Sequence, residues 1–158
     1  MSVDTALPFG AFNFSVEIIP DGATQPLCSA SFSECDGLEM TLDVKAVREG
    51  GNNGTTLRLT GPAGYGQLTL KRGMTAGFDL WDWFEKVVAD PSLRATGEVV
   101  VHARDHSTDE VSFVLRRCVP VKLKAPPLNA KEGLVAIEEM QIAFESLSLV
   151  RLEGGDGG

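Results

Sequence analysis

Apolar and polar residues alternate with a period of two over most of this sequence. The segment AFNFSVEII carries its apolar side chains at every second position, namely Phe12, Phe14, Val16 and Ile18. The pattern recurs in LEMTLDVKAV, QLTLKR, EVVVHARD, EVSFVLRRCVPVKLK and LVAIEEMQIAFESLSLV. Because successive side chains of a strand point to opposite faces, these segments predict half-polar strands of antiparallel sheets with one wet face.

One segment has the spacing of a helix instead. GFDLWDWFEKVVADPSL places apolar residues three and four positions apart, at Phe78, Trp81, Phe84 and Val88. This stripe predicts one helix of about Asp79–Asp90, packed on the sheet through these residues. Asp79 is the predicted N-cap, and Pro91 bars continuation. Both tryptophans are expected to be core residues rather than a platform for a sugar or another ring.

Length and linkers predict a single domain, residues 1–153, followed by a flexible Gly-rich tail, residues 154–158. The N-terminus has no secretory signal pattern, and no apolar run is long enough to span a bilayer. The three cysteines, Cys28, Cys35 and Cys118, are odd in number and lie in strand-like segments. They indicate synthesis in a reducing cytoplasm rather than a disulfide scaffold.

The chain is acidic, with a formal net charge of −8 and a pI near 4.7. Binding to nucleic-acid backbones depends on Lys and Arg, so this balance argues against tight binding of DNA or RNA. An acidic surface is compatible with a conduit to which anions do not adhere.

The Gly-rich segment VREGGNNG has three possible roles: a phosphate cradle, a hairpin tip or loop, or a contact with another copy. A P-loop requires Lys and then Ser or Thr after its glycines, followed by a helix. Here the strand-like TTLRLT follows, so a hairpin or loop is favoured. Similarly, Lys71 and Arg72 form either a solvated strand end or a contact with acidic surfaces of a neighbouring copy.

No arrangement of residues supports catalysis or a bound cofactor. HARDH brings together His102, Asp105 and His106. The two histidines would point the same way along a strand, but a third metal ligand has no obvious source, so a polar strand end is favoured over a site. The adjacent carboxylates of Glu138 and Glu139 point to opposite faces of a strand. With no nucleophile elbow around any serine, the prediction is no catalytic residue, no cofactor and no metal.

Several motifs occur in a family-specific order: FNFSVEI, FSECDGLEM, VREGGNN, YGQLTLKRG, LWDWFEKV, PVKLKAPPLNA and VAIEEMQIAFESL. From about Phe9 to Leu152, the chain resembles the tail-tube protein family of contractile phages and related phage-like extracellular contractile injection systems. The order and spacing of the motifs make the resemblance specific. Thr60-Gly61-Pro62 departs from the Leu-Pro-Gly turn expected of the family, and Cys35 from a small or apolar residue.

The resemblance implies a structural, non-enzymatic protein with a mainly β fold. An antiparallel β-barrel or sandwich with one flanking α-helix, similar to the type VI secretion tube protein, is expected. Copies would close into hexameric rings that stack into a hollow tube inside a contractile sheath. The implied partners are other copies, the sheath, the baseplate and spike proteins, and cargo protein or DNA that passes through the lumen without tight binding. No membrane anchoring is implied.

The resemblance also implies candidate contacts between subunits or rings. An extended loop would reach a neighbouring copy, with salt bridges from its charged residues and close backbone approach at its glycines; its residues are Arg48, Glu49, Gly50, Gly51, Asn52 and Asn53. Lys71 and Arg72 are the other candidates. Assembly is expected in the cytoplasm, within a phage tail or a phage-like particle that can be released from the cell.

Three alternatives remain open. Two belong to the same machine: a tube-initiating baseplate ring and a second tube paralogue. The third is a small-ligand-binding β-barrel, which predicts a monomer with a concave apolar pocket and no ordered polymer.

Overall fold

A computed structural model describes residues 14–30, 32–48, 56–73, 77–102, 110–128, 130–131 and 136–152. The strands and the helix of this part of the chain are β1 Phe14–Pro20, β2 Cys28–Ala30, β3 Glu34–Asp36, β4 Met40–Arg48, β5 Thr56–Tyr65, β6 Gln67–Gly73, α1 Asp79–Ala89, β7 Ala95–Val101, β8 Glu110–Lys124, β9 Ile137–Ala143 and β10 Ser146–Leu152. All strand pairs are antiparallel. The prediction of a mainly β fold with one helix is confirmed.

The long strand β8 belongs to two halves of the main sheet. Its first part lies between β7 and β10, and β7 continues to β1 and β2; this half is named sheet A. Its second part, Val119–Lys124, pairs with β9, which continues to β6 and β3; this half is named sheet B. Strand β8 therefore links the two halves of the fold.

One apolar core joins the inner faces of both half-sheets and the helix. Its buried members include Val16 and Ile18 of β1, Leu68 and Leu70 of β6, and Leu115 of β8. The period-two pattern predicted these orientations for β1 and β6, because alternate side chains of a strand share a face. Burial of such side chains contributes about 1.5–3 kcal/mol each relative to exposure.

The helix lies where the sequence predicts it but is rotated about its axis. The buried residues of α1 are Leu80, Trp83 and Val87, whereas Phe78 and Val88 are 55% and 68% exposed. The predicted stripe is therefore wrong for Phe78 and Val88. Both sets have helical spacing, so periodicity alone does not select between them.

Asp79 is the first residue of α1 rather than its N-cap. The N-cap is Phe78, which makes no capping side-chain hydrogen bond. The Asp79 carboxylate instead accepts a hydrogen bond from the Leu80 backbone N–H at 2.9 Å. Negative charge at this helix end is favourable because of the helix dipole. No helix within the described ranges is long and apolar enough to cross a membrane.

Candidate subunit interface

Strands β4 and β5 form a two-stranded hairpin separate from the main sheet, here named the arm. Every described side chain from Met40 to Val47 is exposed, whichever way it points. The exposed residues include Met40 at 63%, Leu42 at 58% and, on β5, Leu59 at 56%. The expectation of one buried apolar face is therefore wrong for β4. Nine residues of extended chain make this arm about 30 Å long.

An exposed hairpin of this kind is incomplete by itself. A two-stranded ribbon is marginal in water unless something packs on it. Large exposed apolar patches on soluble proteins usually mark interaction sites. Since the core of this chain leaves the arm uncovered, another molecule is the natural source of the missing contacts.

The irregular middle of the arm explains how its strand accommodates a proline. Val44 pairs with Thr60 and Leu42 with Ala63, so Gly61 and Pro62 together lie opposite a single residue in a bulge. Bulges tolerate proline, which lacks a backbone N–H. The departure from the family turn is therefore a strand with a bulge.

The predicted interface loop begins at the end of the arm. Arg48 is the last residue of β4 and pairs through its backbone with Thr56, the first residue of β5. Glu49, Gly50, Gly51, Asn52 and Asn53 lie outside the described residues. Since a strand rather than a helix begins at Thr56, the phosphate-cradle hypothesis is wrong.

The polar face of sheet B carries a row of alternating charges across four strands. Register places Glu34, Lys71, Glu139 and Lys124 side by side. Lys71 Nζ is 3.1 Å from a carboxylate oxygen of Glu34 and 4.0 Å from one of Glu139. The hydrogen bond with Glu34 raises the pKa of Lys71. Cross-strand pairs of opposite charge stabilise this register.

A second row on the same face is charged only at its ends. It consists of Asp36, Thr69, Gln141 and Lys122. Among the described residues, β3 pairs with β6 alone, and the Val119–Lys124 part of β8 pairs with β9 alone. Sheet B thus has two unpaired edges. One edge carries Glu34 and Asp36, and the other carries Lys122 and Lys124.

Arg72 lies inside the molecule, although it neighbours Lys71 in sequence. It is 8% exposed, and its Nε donates a hydrogen bond to Glu138 at 2.6 Å. Its guanidinium also binds Asp79 at the start of α1 and lies over the Phe32 ring, 5.4 Å from the centroid. Burial alone would lower the pKa of Arg72, but hydrogen bonds to Asp79 and Glu138 raise it. The positive charge of Arg72 is therefore paired with carboxylates of its own chain, Glu138 and Asp79.

Sequence reasoning missed this buried cluster, although a signal was present. Arg72 has the same parity as Leu68 and Leu70, and Glu138 has the same parity as Met140 and Ile142. Both charged residues therefore belong to the apolar face of their strands. The opposite orientation of Glu138 and Glu139 is confirmed, since the former is buried and the latter lies on the polar face.

The cysteines and the HARDH segment are the other residues that could carry chemistry, and those that the structure describes show no reactive arrangement. Burial raises the pKa of Cys28 to about 12 and that of Cys118 to about 11, and both thiols are free. Ser15 Oγ lies 3.4 Å from His102 Nε2, while Asp105 and His106 lie outside the described residues. Within the part of the chain that the structure describes, no group of three potential ligands is arranged to hold a metal ion.

Comparison with solved structures identifies the fold. A chain of the anti-feeding prophage baseplate, six-fold symmetrised, aligns at a TM-score of 0.79 and 22% identity, over 92% of this chain and 97% of that chain. A chain of the PVC sheath–tube complex in the extended state aligns at a TM-score of 0.77 and 18% identity, over 92% of this chain and 93% of that chain. A chain of the anti-feeding prophage cap aligns at a TM-score of 0.79 and 16% identity, over 95% of this chain and 95% of that chain.

A search of curated proteins finds no match to the sequence. The family comparison is positive: residues 10–148 match the family described as T4-like virus tail tube protein gp19. The match spans all the strands from β1 to β9, the arm and α1. The chain therefore belongs to the gp19 family of T4-like virus tail tube proteins.

Proposed function

We propose that this protein is the inner-tube subunit of a contractile injection machine. Copies close into hexameric rings, and the rings stack into a hollow tube inside a sheath. The observation that carries the proposal is the arm, whose large apolar side chains on β4 and β5 are uncovered in the isolated subunit. Family membership and the likeness to chains in sheath–tube, cap and baseplate assemblies support it.

The arm provides the contact between rings in this proposal. It is a two-stranded sheet separate from the main sheet, and its exposed Leu42 and Leu59 present apolar surface that a copy in the next ring would bury. The segment Arg48–Asn53 follows at the end of β4 and contributes polar contacts to the same neighbour.

Sheet B provides the contact within a ring. The acidic edge of one copy, with Glu34 and Asp36, lies beside the basic edge of the next, with Lys122 and Lys124. Pairing them removes two strand edges that would otherwise invite uncontrolled association. Lys71 continues the alternating row behind this edge. Arg72 takes part only indirectly, by holding α1 on the inner face.

The polar face of sheet B then lines the lumen. Its two described rows contain as many lysines as carboxylates, in contrast to the acidic wall suggested by the net charge of −8. Such a wall neither binds nor repels a cargo strongly through net charge. The role is structural rather than enzymatic, and the partners are the sheath, baseplate and spike proteins. The subunits assemble in the cytoplasm into a phage-like particle.

The test is negative-stain electron microscopy of tubes formed with co-expressed sheath and baseplate proteins. Replacing Leu42 and Leu59 together by aspartate should leave a folded subunit, because both side chains are exposed, but should abolish stacked tubes. A matched variant with isoleucine at both positions retains the apolar surface and should form tubes. Normal tubes from the aspartate variant would refute the role of the arm, and absence of tubes from the natural sequence would refute the proposed function.

A ring at one end of the tube is the second candidate function. It is favoured by the alignments with chains of a baseplate and of a cap assembly. The two functions differ in copy number. Gold-labelled antibody against the protein should decorate the whole length of sheath-free tubes if it is the tube subunit, and only their ends if it forms a terminal ring.

A further inference from the structure

A cavity of about 340 Å³ lies beside the C-terminal half of α1, next to the turn between β1 and β2. Its apolar walls are formed by Leu27, Trp83 and Leu93, and its cations are Lys86, Arg94 and Arg117. This site is named the basic cleft. Its volume is within the range of ligand pockets, and the combination of apolar walls with a few convergent polar groups is typical of binding sites.

Two of the cations are held by the helix and the segment after it. Lys86 lies in the last turn of α1, where the helix dipole favours positive charge. Arg94 follows the helix, and its Nη1 donates hydrogen bonds of 2.8 Å to the carbonyl oxygens of both Pro91 and Leu93. These bonds fix the guanidinium before any ligand arrives, which reduces the entropy lost on binding.

The third cation is placed by an irregularity in β8. The register of β7 against β8 shifts between Ala95 and Gly97, and Arg117 in this bulge has a φ of 55°. Residues other than glycine rarely adopt this left-handed conformation, and bulges commonly redirect a side chain next to a functional site. Arg117 forms an exposed ion pair with Glu145. Such a solvent-exposed pair is weak and can be exchanged for another carboxylate.

The charge of the basic cleft is opposite to that of the molecule. Three cations face one carboxylate, Asp21, among its lining residues, and Arg117 is in addition paired with Glu145 outside the lining, in a chain of net charge −8. When a ligand carboxylate replaces Glu145 on Arg117, the three cations exceed Asp21 by two positive charges, which suits a ligand with more than one carboxylate. The apolar walls suit one aliphatic or aromatic side chain. We propose that the basic cleft binds a short acidic peptide segment of a partner protein, with an apolar side chain inserted beside Trp83.

This inference goes beyond the proposed tube function, because the basic cleft shares no residue with the arm or with the charged rows of sheet B. Fluorescence anisotropy at low salt tests it with the full chain and three labelled peptides of equal length. One alternates aspartate with leucine, one lysine with leucine, and one aspartate with serine. Only the aspartate–leucine peptide should bind, and added salt should weaken it because salt screens charge. Absence of binding, or equal binding of the aspartate–serine peptide, would overturn the proposal.

Two variants assign the binding to this site. Arg117→Gly should weaken the aspartate–leucine peptide about tenfold, since it removes a charge-assisted hydrogen bond. Glycine suits the positive φ, so the variant should remain folded. Lys86→Gln should likewise weaken binding of the aspartate–leucine peptide, because it removes another cation of the basic cleft. The matched control is Arg151→Gln, which removes an exposed cation on β10 opposite Val111, at the other end of the β8 pairing.

Equal weakening by Arg151→Gln would show diffuse charge attraction and overturn the site. Unchanged affinity in Arg117→Gly and Lys86→Gln together would do the same. Decanoate serves as a competing small carboxylate with one apolar chain. If decanoate displaced the labelled peptide at a concentration no higher than that of unlabelled peptide needed for the same displacement, the occupant would be a small acid rather than a peptide segment.

Discussion

A buried ionic contact connects sheet B to the beginning of α1. In it, Arg72 of β6 binds Glu138 of β9 and Asp79, the first residue of the helix. Glu138 is 2% exposed and would be an uncompensated buried charge without Arg72. Asp79 attaches the helix to the same guanidinium. Asp79 lies one helical turn before Trp83, so this contact and the burial of Leu80, Trp83 and Val87 place the same side of α1 against the sheet.

The pH dependence of stability should report on this contact. Burial alone would raise the pKa of Asp79, but hydrogen bonds from Arg72 and Cys28 and the charge of Arg72 lower it below its ordinary value of 3.8. A lowered carboxyl pKa stabilises the folded state above that value, and the contribution is lost as the pH falls through the folded-state pKa. The free energy of unfolding should therefore decrease as the pH falls below about 4.

Asp79→Asn should make this decrease shallower. Urea unfolding of unassembled protein, followed by tryptophan fluorescence at a series of pH values, measures it. Asp82→Asn is the matched control, because it also removes a first-turn carboxylate but leaves the Arg72–Asp79 contact in place, and it should change the slope less than Asp79→Asn does. An identical slope in Asp79→Asn and the natural protein would refute the stabilising role assigned to Asp79.

At the scale of elements, the helix and the arm share one property: each has an apolar set that periodicity alone misassigns. In α1 the stripe with Phe78 and Val88 is partly exposed, whereas the neighbouring stripe with Trp83 is buried. In β4 the whole apolar set is exposed. Hydrophobic spacing identifies the type of element, but the element it packs on determines which face is covered.

The rotation of α1 is testable by two truncations on the same helix. Trp83→Ala should lower the free energy of unfolding by about 3–5 kcal/mol, because it leaves a cavity in the core. Val88→Ala should change it by no more than about 0.5 kcal/mol, because the side chain is already in solvent. Urea denaturation followed by circular dichroism measures both. Equal losses would contradict the observed orientation.

At the scale of the whole molecule, charge is distributed unevenly. The chain is acidic overall, yet one edge of sheet B and the basic cleft are cationic. In the proposed ring, the acidic edge of one copy next to the basic edge of another would give each contact a direction, because like edges repel. Assembly of the proposed ring would therefore depend on the positions of the charges rather than on the net charge.

Charge reversal in the second row tests ring closure. Asp36→Lys or Lys122→Glu alone should raise the protein concentration needed for assembly at least about tenfold, since like charges would meet between copies. The two changes together restore opposite charges and should recover assembly. The inner members of this row, Thr69 and Gln141, are neutral, so no like charges meet inside sheet B. Lys122→Glu is the cleaner single change, because Asp36→Lys also removes the acceptor of the 2.8 Å hydrogen bond from the Gly37 backbone N–H. Sedimentation at increasing protein concentration measures assembly, and failure of the double variant to recover would refute this pairing of edges.

Local geometry is what the amino-acid pattern alone could reveal. Period-two alternation predicted most of the strands, although not the short β2 and β3. Three- and four-residue spacing predicted a helix ending near Asp90, and ordered motifs indicated the tail-tube family. The strands and the helix were predictable because they depend on the directions that neighbouring side chains take along one element. Only the tertiary structure shows which strands pair and that the arm is separate from the main sheet. It also shows that Arg72 is buried against Glu138 and that Arg117 lies in a bulge of β8. Each of these depends on contacts between residues distant in sequence, whose register no local pattern specifies.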